Sequence, residues 1–159
     1  QRNLSLHADN CVGQNKNKSV LGYLMWRVLC GMSDTIELNF MRVGHTRCSV
    51  DAYFGLLKQK IRSSDINTVQ QACEAIDKSC KANSSSNYEW EWREWDAFLA
   101  QYFQPVKGIR SFQHFRMCSE SPGTLFARVE CYGEEKEFQL LKPNIELSSI
   151  PRDRPPVVP

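Results

Sequence analysis

The sequence predicts an α/β domain, and three observations carry that expectation. Residues 4–9 alternate apolar and polar, as a strand does. A stretch with apolar side chains at 3.6-residue spacing follows, and then a second alternating, β-branched run from Ile36 to Val43. Strand, helix, strand and a further helical pattern make the order of a βαβ unit with its continuation.

The first strand runs out at Asp9 into the polar segment Asn10 to Lys18. Asn15 or Asn17 can cap the next helix, whose Val20, Leu21, Leu24, Met25, Val28 and Leu29 form one face until Gly31 stops it. Gly44, His45 and Thr46 break the second strand. Ser49 can cap a helix to about Arg62 that buries Val50, Tyr53, Phe54, Leu57 and Ile61. Thr68 and Gln71 form a capping-box pattern for a helix to about Cys80 that buries Val69, Cys73, Ile76 and Cys80. Residues 81–87 are a polar linker, which separates a first region, 1–80, from a second, 88–142. In that second region Trp92, Trp95, Phe98, Leu99, Tyr102 and Phe103 repeat at helical spacing up to Pro105, a pattern that suits core packing better than a base-stacking platform. Residues 109–118, 124–132 and 136–142 read as three antiparallel strands, and 143–159 as a proline-rich, extended or disordered tail.

The 159 residues, 42% hydrophobic and 24% charged, suit a folded domain with a real core. A net charge of +2 is too small to argue nucleic-acid binding from composition alone. The apolar run from Val20 to Met32 is too short to span a bilayer, and the N-terminal residues lack a signal-peptide pattern. No membrane partner and no secretion are expected, with a nuclear or otherwise cytoplasmic location. Seven scattered cysteines without a CxxC pair suggest buried thiols rather than a disulfide framework or a zinc site.

Two carboxylates carry the candidate chemistry. Asp9 sits where a strand ends, and Asp51 lies in the first turn of the helix after the next strand. Two acids sharing Mg²⁺ or Mn²⁺ can polarise a phosphodiester and activate the attacking oxygen. The same acids also fit a turn cap and a first-turn helix acid. Lys16 and Lys18, with Gln14 and Asn15, can hold a phosphate at a helix start, although no P-loop spacing is present. Gly55, Lys58 and Arg62 share the helix face of Asp51, which suits either a phosphate backbone or a solvated face. His45, at a strand end, can orient a metal-bound water or pack on its turn.

The blocks Leu6-His7-Ala8-Asp9-Asn10-Cys11-Val12-Gly13-Gln14-Asn15-Lys16-Asn17-Lys18, Val43-Gly44-His45-Thr46 and Asp51-Ala52-Tyr53-Phe54-Gly55-Leu56-Leu57-Lys58 resemble a family of transposon-derived eukaryotic domains, itself similar to the ribonuclease-H-like DDE transposase core. The similarity extends through Trp92-Arg93-Glu94-Trp95-Asp96 and Lys107-Gly108-Ile109-Arg110. The resemblance implies a partial ribonuclease-H-like fold, its C-terminal half, with a helical insertion and a C-terminal three-stranded antiparallel region. It implies that Asp9 and Asp51 are the second and third metal-binding catalytic carboxylates, with Asn10, Gln14, Asn15 and His45 at supporting positions. The implied parent activity is Mg²⁺- or Mn²⁺-dependent DNA cleavage or strand transfer in the nucleus; a domesticated, non-catalytic nucleic-acid or protein binding module is the alternative. In such folds the first carboxylate lies on an earlier strand, so these residues are expected to be an inactive fragment. Weak DNA binding and self-association through an exposed sheet edge are expected with it.

Overall fold

A computed structural model describes residues 2–11, 13–41, 49–86 and 90–158. They fall into two compact units, one made of Gln1–Val43 with Trp92–Pro159 and the other of Gly44–Glu91. The units divide at residues 44 and 91 rather than at the polar stretch 81–87.

The first unit is built on a five-stranded mixed sheet. The alternation of Leu4, Leu6 and Ala8 gives β1 (Asn3–Ala8), which lies parallel to β2 (Thr35–Phe40), and α1 (Lys18–Leu29) makes the crossover that parallel pairing requires. Asn17 caps α1, its side-chain oxygen accepting from the amides of Ser19 and Val20. Gly31, at φ 70°, takes the left-handed turn that ends it.

The three C-terminal strands continue this same sheet rather than standing apart. β3 (His114–Cys118) pairs antiparallel with β2, then with β4 (Thr124–Arg128), which pairs with β5 (Lys136–Gln139). The spatial order is β1-β2-β3-β4-β5, so β1 is an edge. β3 starts later than the sequence pattern suggests, because residues 109–111 form a 3-10 turn after Gly108.

One sheet face is apolar. Ile36, Leu38 and Phe40 of β2, Phe115 and Met117 of β3, and Leu125 and Ala127 of β4 pack with Leu21, Leu24, Met25, Trp26 and Val28 of α1. Trp26 is 1% exposed, and burying side chains of this size contributes about 1.5–3 kcal/mol each. The helix α4 (Trp95–Tyr102) crosses α1 at Gly22, where an added Cβ would come 3.3 Å from Phe103. Trp95 and Phe98 close an aromatic cluster with Tyr23 and Trp26, which bears out core packing for that part of the aromatic pattern. Trp92 lies before α4 and is exposed, so it is not part of that packing.

The proline-rich segment is packed rather than loose. Pro151 accepts a hydrogen bond from the Trp26 indole, Ile150 is buried, and Val157 bridges Arg93.

The second unit pairs α2 (Ser49–Arg62) with α3 (Val69–Asp77). The capping box of Thr68 and Gln71 forms as the sequence predicts. The expected burial does not. Val50, Tyr53, Phe54, Ile61 and Val69 are 40–70% exposed, and Ala75 is the buried apolar residue of α3. A two-helix hairpin covers only the strip where its helices touch, so the apolar arc of α2 extends beyond what α3 can shield. Among the described residues no helix is long and apolar enough to cross a membrane.

Candidate functional site

The polar turn after β1 is a hydrogen-bonded loop organised by Asp9. Asp9 Oδ1 accepts from Asn15 Nδ2 at 2.6 Å and from the Cys11 amide at 3.3 Å. The Cys11 carbonyl accepts from the amides of Gln14, Asn15 and Lys16, and the Gln14 carbonyl from Asn17 Nδ2. Asp9 thus does the work of an Asx turn.

The loop is pinned to the start of β3. Asn10 Nδ2 donates to Gln113 Oε1 at 2.8 Å. Lys16 Nζ donates to the Phe112 carbonyl at 2.8 Å and to Gln113 Oε1 at 3.2 Å, and lies 4.7 Å from the centre of the Phe40 ring. Lys16 is 1% exposed, which corrects its assignment to a phosphate contact: the ammonium is spent inside the fold, on a carbonyl, an amide and an aromatic face. Burial lowers its pKa from the ordinary value. Lys18, two residues on, is exposed at the start of α1.

Beside this loop the polar sheet face carries a row that the sequence does not announce. Strand register sets His7, Asn39, His114 and Arg128 side by side across β1, β2, β3 and β4. His114 Nδ1 lies 2.8 Å from Asn39 Oδ1, so in the neutral ring Nδ1 carries the proton and Nε2 is an acceptor. Burial lowers the His114 pKa, Arg128 and His7 lower it further, and Glu37 opposes them. In the next row Arg116 stacks on Phe126 at 4.1 Å and is bound by Glu135, which also reaches Arg128. The Arg116 bond is the main cause that holds the Glu135 carboxyl below its usual range.

Asp51 is in the first turn of α2 in the other unit, exposed, with Lys58 and Arg62 exposed further along the helix. His45 lies outside the described residues. The loop thus brings Asp9, Asn10, Gln14, Asn15 and Lys16 together with Gln113, a residue missed because only β3 pairing brings it near.

Among the described residues, no three His, Cys, Asp or Glu side chains converge to hold a metal ion. Asp9 is one carboxylate among neutral amides, which is less than a Mg²⁺ site needs from protein and substrate together. These residues do not by themselves fit the ion.

No curated protein and no solved structure matches the chain. Residues 1–133 match the family described as Domain of unknown function (DUF7869), and the chain belongs to that family.

Proposed function

We propose that this chain is the later half of a ribonuclease-H-like core from a DDE-transposase lineage, with Asp9 and Asp51 as two of its acidic residues. The observation that carries this reading is the parallel β1–α1–β2 unit, in which β1 is a sheet edge and runs out into Asp9. In open α/β sheets the carboxyl ends of parallel strands are where ligands bind. Among the described residues β1 is an edge of the sheet, where a further strand bearing the first carboxylate would pair.

On this reading the substrate is DNA in the nucleus. The reaction is attack of water or a DNA 3′-hydroxyl on a phosphodiester, the new P–O bond forming as the bond to one DNA oxygen breaks and that oxygen leaves as a hydroxyl; in the parent protein a fuller acid set including Asp9 and Asp51 would hold Mg²⁺ or Mn²⁺, which would polarise the phosphate. Lys18, Lys58 and Arg62 supply phosphate contacts, which position DNA without reading its sequence.

The alternative is a domesticated binding module without catalysis. It is favoured by the use of Asp9 and Lys16 as structural parts of the loop.

The test is DNA cleavage with Mg²⁺ or Mn²⁺ by the polypeptide extended to include the preceding strand. Asp9→Asn keeps an Oδ1 acceptor for Asn15 and Cys11 but removes the charge. Loss of cleavage in Asp9→Asn and Asp51→Asn, with unchanged melting, supports the catalytic reading. Cleavage indifferent to both overturns it, and no cleavage by the wild type leaves the binding module.

A further inference from the structure

Residues 150–158 are held by the first unit in the way that a proline-rich peptide is held by a receptor. Proline fixes its own φ and keeps the residue before it extended, so Arg154 and Pro155 are confined to the polyproline II region by sequence alone. Ile150, before Pro151, is extended as well, at φ −78° and ψ 118°. Such a backbone makes no internal hydrogen bonds and proline brings no N–H, so the segment meets its partner through carbonyls and ring faces.

The fold meets it with donors. Trp26 Nε1 donates to the Pro151 carbonyl at 2.8 Å, and Arg93 Nη1 donates to the Pro155 carbonyl. The Val158 amide donates to the Trp92 carbonyl at 2.7 Å, beside the antiparallel bridge of Val157 with Arg93. Pro155 is buried, while Pro151 to Arg154 and Pro156 to Val158 are exposed. Tyr23, Trp95 and Phe98 pack round the Trp26 ring, so the indole donor is set by α1 and α4 rather than by the segment.

We propose that this surface, formed by the C-terminal half of α1 and residues 92–95, is a recognition site for proline-rich extended segments. Residues 150–158 fill it in cis, and a proline-rich segment of another protein displaces them.

Aromatic rings with donors to carbonyls are what proline-rich ligands dock on in unrelated folds. A buried indole N–H needs an acceptor, and here the segment supplies it. A second segment with a carbonyl at the same place satisfies it equally. The cis segment is also lightly held: Ile150 and Pro155 are its buried residues, so its release leaves the sheet and the packing of α1 on α4 in place. Tethering gives it an effective concentration in the mM range, which a free ligand must overcome. The site shares no residue with the Asp9 loop or with Asp51, Lys58 and Arg62, so this inference and the catalytic reading fail separately.

The Trp26 indole cross-peak in ¹H–¹⁵N spectra of the full chain reads occupancy, and the probe is a synthetic peptide of residues 150–158. Pro155→Asp in the full chain should eject the segment and shift the cross-peak to that of a water-bonded indole, with helix content by circular dichroism unchanged. The peptide should return it to the wild-type position, saturably, and bind at least about tenfold tighter than it binds the wild-type chain. A peptide carrying Arg152→Ala, Asp153→Ala and Arg154→Ala keeps the prolines and should bind within about tenfold of the first. Should Pro155→Asp lose helix content, excess peptide on the wild-type chain serves instead: displacement appears as faster hydrogen exchange of the Val158 amide. A peptide that neither restores the cross-peak nor frees Val158, one that binds equally well with Pro155→Asp, or failure of the alanine peptide would overturn the proposal.

Discussion

Replacing Lys16 separates its structural role from a nucleic-acid role. Lys16→Ala removes three buried methylenes beyond Cβ, each worth about 0.8 kcal/mol. It also deprives the Phe112 carbonyl of the donor at 2.8 Å, a loss of about 1–3 kcal/mol when the group stays buried. Relief of the buried ammonium's desolvation offsets part of this, leaving a net cost of about 3 kcal/mol. For a chain of this length that is a melting shift of roughly 6–12 °C. Lys16→Met keeps most of the stem and loses only the bonds, for about 1 kcal/mol. Urea denaturation followed by the fluorescence of Trp26, buried in the same core, reads both.

The pH dependence has a fixed sign. Burial places the folded pKa of Lys16 below 10.5, so between that lowered value and 10.5 the unfolded chain binds more protons, and stability rises with pH. Wild type should therefore gain on Lys16→Met across that alkaline window and run parallel to it below. A Lys16→Ala protein as stable as wild type but with weakened DNA binding would refute the reasoning.

Other consequences follow from single contacts. Asp9→Ala should cost about 1–2 kcal/mol through loss of the Asn15 and Cys11 bonds, and Asp9→Asn under about 0.5, both by urea titration. Gly123→Ala should cost more than about 2 kcal/mol, since φ is 81° and the new Cβ would lie 2.7 Å from that of Leu141; a smaller loss would mean that the turn relaxes. Thr68→Ala should remove about 1 kcal/mol from the α2–α3 unit, seen in amide exchange of α3. His114 has a folded pKa below 6.5, so stability should fall as pH drops from 6.5 through that lower value, and His114→Gln should flatten that limb.

Local signals in the sequence were reliable where the physics is local. The Asn17 cap, the Thr68 and Gln71 box and the period of α1 each depend on neighbours within four residues, and all form. The fate of Lys16 was illegible because it depends on Phe112 and Gln113, which reach it only through β2–β3 pairing. The row of His7, Asn39, His114 and Arg128 was hidden for the same reason: strand register is a long-range property. The periodicity of α2 correctly marked an apolar face, but a period cannot say whether the chain itself provides a cover. The last strands looked like a separate region because nothing local to His114–Cys118 indicates that its partner is Thr35–Phe40.

The central proposal, that Asp9 and Asp51 belong to one acid site, is tested most directly by their separation. A crystal structure of the extended polypeptide soaked with Mn²⁺ and phased on the anomalous signal of the ion measures it. The two carboxylates should lie within about 8 Å of each other with Mn²⁺ between them, since paired catalytic ions sit roughly 4 Å apart. Carboxylates on opposite faces of the sheet, or Mn²⁺ bound away from Asp9, would contradict the account.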